Sequence, residues 1–91
     1  MRRVHVIVSG SVQGVGYRYT ARMVAAEAGV TGWVRNLRDG TVEAEVQGTT
    51  DQVDEMLAWM AEGPPGSRVE AARVTDVTTA GDRGFEVRDT A

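Results

Sequence analysis

The chain has 91 residues, 42% hydrophobic and 25% charged, which fits one small globular domain and leaves no room for a second core. It contains no cysteine and no lysine, one histidine, ten arginines and thirteen carboxylates, for a net charge of −3. Missing cysteine excludes disulfide frameworks, thiolate metal sites and thiol nucleophiles, and missing lysine excludes Schiff-base chemistry and a Walker-type phosphate lysine.

Partners are narrowed in the same way. A net negative chain disfavours broad nucleic-acid binding, which depends on a basic face to neutralise phosphates, yet small anions remain possible ligands. A metal site would need His5 and carboxylates alone, and no spacing suggests one. The run Val4–Val8 is shorter than a signal-peptide core of ~7 to 15 residues and is interrupted by His5. No stretch approaches the ~20 apolar residues of a membrane span, so the expected address is cytoplasmic.

In chain order, Val4, Val6 and Val8 alternate with Arg3, His5 and Ser9 and predict a first strand with one face on a core. Ser9 to Gly16 holds three glycines and no helical period, hence a loop. From Tyr17 the spacing turns helical through Ala21, Val24, Ala25 and Ala28, and Gly29 falls where a left-handed C-terminal cap is expected. Trp33–Leu37 and Thr41–Gln47 read as two strands joined at Asp39-Gly40, a dipeptide suited to a two-residue type I′ turn. In the second arm Val42, Ala44 and Val46 alternate with Glu43, Glu45 and Gln47, one face buried and the other wet. Thr49 and Gln52 fit a capping box, and Val53, Met56, Leu57 and Met60 form the apolar stripe of a second helix. Gly63-Pro64-Pro65-Gly66 ends it. Val69–Val77 predicts a strand of imperfect alternation, bulged, and Phe85 with Val87 a short last strand. The order βαββαβ plus one strand predicts a ferredoxin-like α+β sandwich: an antiparallel sheet, first and third strands central, both helices on one face.

Chemistry concentrates in Gly10-Ser11-Val12-Gln13-Gly14-Val15-Gly16-Tyr17-Arg18, a glycine-rich loop leading from a strand into a helix. Glycines allow successive N–H groups to face one concavity, and a helix N-terminus adds free donors and a positive dipole end, so a phosphate-sized anion fits. Arg18, in the first turn, can grip two phosphate oxygens. Tyr19 stands where a dinucleotide fingerprint needs its last glycine. Glycine spacing alone fits equally well a tight strand-to-helix connection with a surface arginine. Asn36, at the end of the hairpin's first arm, carries an amide that can donate to one group and accept from a water, although asparagine before a turn also serves as a turn former. Arg35 and Arg38 read as solvated hairpin residues, His5 as a sheet residue, Trp33 and Trp59 as packing, and the carboxylates as unpaired on solvated faces.

This loop, followed by Gly32-Trp33-Val34-Arg35-Asn36, Asp39-Gly40-Thr41-Val42-Glu43 and Gly48, resembles the acylphosphatase family from Val4 to Arg88. The family's loop usually reads Gly-Phe-Arg where this chain has Gly-Tyr-Arg, which keeps the aromatic ring. The resemblance implies hydrolysis of acyl phosphates, mixed carboxylic-phosphoric anhydrides, to a carboxylate and phosphate, without metal, cofactor or covalent intermediate. It assigns the phosphoryl group to Arg18 and the backbone amides of Val12, Gln13, Gly14, Val15, Gly16, Tyr17 and Arg18, and the attacking water to Asn36. A single domain over residues 1–91, acting as a monomer without nucleic-acid or membrane partners, is expected.

Two other readings stand beside it. One is a non-catalytic anion-sensing or carrier module on the same scaffold, or a fragment resembling the acylphosphatase-like N-terminal domain of a larger carbamoyl-transfer maturation factor for hydrogenases. Against the fragment, the chain lacks cysteine zinc motifs and reads as complete. The other is an RNA-recognition sandwich, disfavoured by net −3 and by only five aromatic residues.

Overall fold

A computed structural model describes all 91 residues, Met1–Ala91. The elements follow as β1 (Arg2–Ser11), α1 (Tyr17–Ala28), β2 (Thr31–Asn36), β3 (Val42–Gly48), α2 (Thr50–Glu62), β4 (Arg68–Val77) and β5 (Phe85–Val87). The sheet order is β4-β1-β3-β2-β5, so β1 and β3 lie inside the sheet, as expected. The four long strands pair antiparallel.

Val4, Val6, Val8, Val42, Ala44 and Val46 present one face of the central strands, each fully buried. Against them α1 places Tyr17, Ala21, Ala25 and Ala28, and α2 places Val53, Met56 and Met60. The inner face of α1 is built mainly of alanines, whereas that of α2 carries two methionines, flexible side chains that fit irregular gaps. Capping is as the sequence predicts: Gly29 ends α1 at φ 79° with its N–H bonded to Ala25 O, and Thr49 and Gln52 form the reciprocal box that opens α2. Tyr17 and Trp59, with ring centroids 5.2 Å apart, join the two helices. No helix is long and apolar enough to cross a membrane.

β1 runs on through Ser9, Gly10 and Ser11, expected as loop, because they pair with β4, and three further features differ from the expectations. The hairpin turn is not type I′, which needs positive φ at both central residues. Among the turn residues only Gly40 has positive φ, at 93°. Its N–H bonds Leu37 O, and Leu37 N–H bonds Thr41 O, so the loop is longer by one residue and Gly40 occupies the bulge position. The Asp39 carboxylate accepts from both the N–H and the hydroxyl of Thr41, which fixes this geometry and holds the carboxyl below its usual range.

Secondly, β5 pairs parallel to β2, so the complete sheet is mixed. The chain leaves β4 at one edge and reaches β5 at the other by crossing the sheet face that the helices do not cover. Ala80 exchanges two hydrogen bonds with the Gln47 amide there, and Asp82 lies 2.6 Å from the buried Arg3 guanidinium. The predicted bulge sits in β4, where Ser9 faces Ala71 and Gly10 faces Val69, leaving Glu70 as the extra residue.

Thirdly, the carboxylates of β3 are paired rather than solvated. Glu45 bonds Arg3 at 2.6 Å, and Glu43 sits between His5 at 2.7 Å and Arg35 at 2.6 Å. Burial pushes the Glu43 carboxyl up, but the bonds from His5 and Arg35 outweigh it and the net shift is downward. Burial likewise opposes charge on Arg3, and Glu45 with Asp82 overcomes it. Arg35 is therefore a half-buried sheet residue, stacked with Arg88 against Trp33 at 4.9 and 4.7 Å, whereas Arg38 is exposed as expected.

Candidate active site

One cleft of about 210 Å³ opens on the surface, lined by Val12, Gly14, Gly16, Tyr17, Arg18, Tyr19 and Asn36. It lies where β1 and β2 end and α1 begins. The sequence places its chemistry there by local means. Gly14 and Gly16 adopt φ of 74° and 76°, a left-handed conformation that L residues with a Cβ rarely take, and this turns the chain sharply from β1 into α1. Gly16 is the N-cap of α1 and offers no side-chain cap, and no acidic residue occupies the first turn. The first helical hydrogen bond runs from Thr20 N–H to Gly16 O, so the N–H groups before it have no acceptor within the helix. A helix start so built, with unclaimed donors and no acid nearby, favours an anion.

Arg18 is the one charged side chain in the lining. Its Nη1 donates to the carbonyl oxygen of Arg88 at 3.1 Å, just past β5. That bond uses one of the five guanidinium donors and orients the rest. The late strand therefore has a direct connection to the site: Arg88 N–H bonds Val34 O, and Ala91 N–H bonds Asn36 O. Asn36 is the last residue of β2, paired to Val42, and reaches the cleft from the opposite segment to Arg18.

The loop and the hairpin are tied by a side chain. Gln13 Nε2 donates to Leu37 O at 2.7 Å and to Thr41 O at 2.9 Å, across the mouth of the hairpin that carries Asn36. The family resemblance implies a backbone contact only for Gln13. The signal available was its type: a primary amide has two N–H donors, and a hairpin that bulges leaves two carbonyls side by side. Tyr17, although in the lining, points its hydroxyl away, donating to Met60 O at 2.8 Å. Burial raises the Tyr17 hydroxyl well above its usual range, so it stays protonated and serves packing.

Of the residues singled out from sequence, Arg18, Asn36 and the loop glycines Gly14 and Gly16 meet in one cleft, with Val12 and Tyr17 as its buried floor. Gln13 and Val15 belong to the same loop and are not in the lining. His5 and Arg35 belong to the Glu43 cluster on the sheet face, away from it.

Comparison with known proteins identifies the family. The acylphosphatase family model matches residues 4–87. A protein named acylphosphatase from Bordetella parapertussis is 59% identical over 86 residues, covering 94% of this chain and 84% of that one. The crystal structure of acylphosphatase from Bacillus subtilis superposes with a TM-score of 0.94 at 34% identity, over 97% of this chain and 99% of that one. The structure of T. kodakarensis HypF also aligns, TM-score 0.86 at 27% identity, but this chain spans only 12% of it. By fold and by sequence match over most of its length, this chain belongs to the acylphosphatase family.

Proposed function

We propose that the protein hydrolyses acyl phosphates, with Arg18 and the amides of the Val12–Arg18 loop holding the phosphoryl group and Asn36 positioning the attacking water. The observation that carries this reading is the single cleft joining Gly14, Gly16, Arg18 and Asn36, three kinds of group with three complementary tasks. The loop amides and α1 N-terminus take the charge on the phosphoryl oxygens. Arg18 spans two of them, its guanidinium held ready by Arg88 O. The Asn36 amide accepts from, or donates to, a water that attacks phosphorus in line.

In that step the water oxygen forms a new P–O bond while the bond from phosphorus to the acyl oxygen breaks, and its electron pair leaves with the carboxylate. The water's protons pass to phosphate oxygen and solvent. A carboxylate leaving group has a conjugate acid of pKa ~4 to 5, so no general acid is required. Loose phosphoryl transfer depends on positioning and charge stabilisation, which an arginine, an amide and backbone N–H groups supply. The absence of cysteine, lysine and a histidine near the cleft is therefore no obstacle.

On this reading the 91 residues act as one monomeric domain in the cytoplasm, with a small acyl phosphate as substrate and inorganic phosphate as product. Incubation of purified protein with benzoyl phosphate, with and without a chelator, tests it. Loss of the anhydride well above the uncatalysed rate, equal in both arms, is expected. No acceleration would contradict the enzyme reading, and inhibition by chelator would contradict the metal-free mechanism.

A further inference from the structure

Six of the seven cleft-lining residues have a task in phosphoryl binding or in the core. Gly14 and Gly16 shape the amide cradle, Arg18 supplies the charge, Asn36 has the proposed task of positioning water, and Val12 and Tyr17 are 1% and 2% exposed and form the floor. Tyr19 has none. It sits at the lip of the cleft with 58% of its surface exposed, one of four large hydrophobic residues left so open. The guanidinium groups of Arg18 and Arg22 lie over its ring at 5.9 Å, the outer limit of such contacts, and leave more than half of its surface open. One helical turn further on, Met23 is 65% exposed and extends the apolar surface along α1.

The size of the cleft makes this surface relevant. At about 210 Å³ it falls short of the ~300 Å³ from which pockets enclose whole organic ligands. A phosphoryl group seated among the loop amides leaves its acyl substituent projecting outward, and the one exposed large hydrophobic side chain in the lining is Tyr19.

We propose that Tyr19 is the acyl-side subsite of the cleft and selects acyl phosphates whose acyl group is flat and aromatic. This deepens the acyl phosphate reading above and rests on it. An aromatic acyl group lies against the exposed ring, gaining buried apolar area and an aromatic contact that a small aliphatic acyl group cannot make.

The test compares benzoyl phosphate with acetyl phosphate, reading the ratio of their kcat/KM values in the unaltered protein, in Tyr19→Ala and in Tyr19→Phe, with competitive inhibition by inorganic phosphate alongside. The ratio should fall roughly threefold to tenfold in Tyr19→Ala, the factor an aromatic contact supplies, and stay within about twofold in Tyr19→Phe. Phosphate inhibition should stay within about twofold in both variants, since their change lies outside the phosphoryl site. An unchanged ratio in Tyr19→Ala would overturn the subsite, as would an equal fall in Tyr19→Phe, which would point to the hydroxyl. Phosphate inhibition weakened in Tyr19→Ala would place the ring in the phosphoryl site instead. If the unaltered protein hydrolysed neither substrate, the enzyme reading would fail and the subsite with it. Turnover of both with an unchanged ratio in Tyr19→Ala defeats the subsite alone.

Discussion

Tyr17 stands where the family usually has phenylalanine, and removal of its hydroxyl separates the architecture of the cleft from its chemistry. The phenol is 2% exposed and donates to Met60 O at 2.8 Å, a bond from the start of α1 to the last turn of α2. In Tyr17→Phe the ring remains, with its contact to Trp59, so no cavity larger than one oxygen forms. The loss is one buried neutral hydrogen bond, with Met60 O left without that donor, worth about 1 to 1.5 kcal/mol. For a domain of this size each kcal/mol moves the midpoint by roughly 4 to 8 °C, so Tm should fall by about 4 to 12 °C. Thermal unfolding followed by circular dichroism reads this directly, and urea unfolding should give a lower midpoint with unchanged m-value. Because the hydroxyl points away from the cleft, kcat/KM for benzoyl phosphate should change by less than about twofold at a temperature where both proteins are folded. A Tm within about 1 °C of the parent would refute the assigned contribution. A large loss of activity in a stably folded variant would refute the view that this hydroxyl serves packing alone.

Two more substitutions test other parts of the framework. Gln13→Ala removes both bonds between the loop and the Asn36 hairpin, and should lower kcat/KM by roughly five- to tenfold, the equivalent of ~1 to 1.4 kcal/mol, through misplacement of Asn36 relative to the cradle; unchanged kinetics would show the tether to be dispensable. Glu43 has a folded-state pKa below its unfolded one, so its stabilisation is present above the ordinary carboxylate range and is lost as pH falls through and below it. Glu43→Gln should therefore cost roughly 1 kcal/mol at neutral pH, with the gap to the parent closing below about pH 4. A gap equally large at acid pH would mean that the bonds with His5 and Arg35 are not its source.

Much of the molecule was legible because its signals are local. Helical spacing from Tyr17 to Ala28, the glycine cap at Gly29 and the Thr49–Gln52 box each lie within a few residues of what they specify. The cleft shares this property on one side: the glycines that turn the loop and the arginine that follows them are contiguous. Asn36 could be placed near them only through the fold, since its distance from the loop depends on β2 lying beside β3 and on the tie through Gln13.

What escaped the sequence depends on distant partners. Asp39-Gly40 suits two loop lengths, and the choice falls to the Asp39 carboxylate closing on Thr41 and to the ladder bond of Leu37. The direction of β5 is set by where residues 78–84 cross the sheet, and that path is anchored by Arg3 and Gln47, which come from strands far away in sequence. Glu43 and Glu45 alternate like solvated residues, and only the register of β1 and β2 against β3 reveals the arginines and histidine beside them.

The division of labour between Arg18 and Asn36 is tested most directly by measuring benzoyl phosphate turnover and inorganic phosphate affinity on the same two variants. Asn36→Ala should lose turnover by ~10² to 10³-fold, the scale of removing one positioned polar group, while phosphate binds within about threefold of the parent. Arg18→Ala should lose both. Normal turnover in Asn36→Ala, or parental phosphate affinity in Arg18→Ala, would contradict the account.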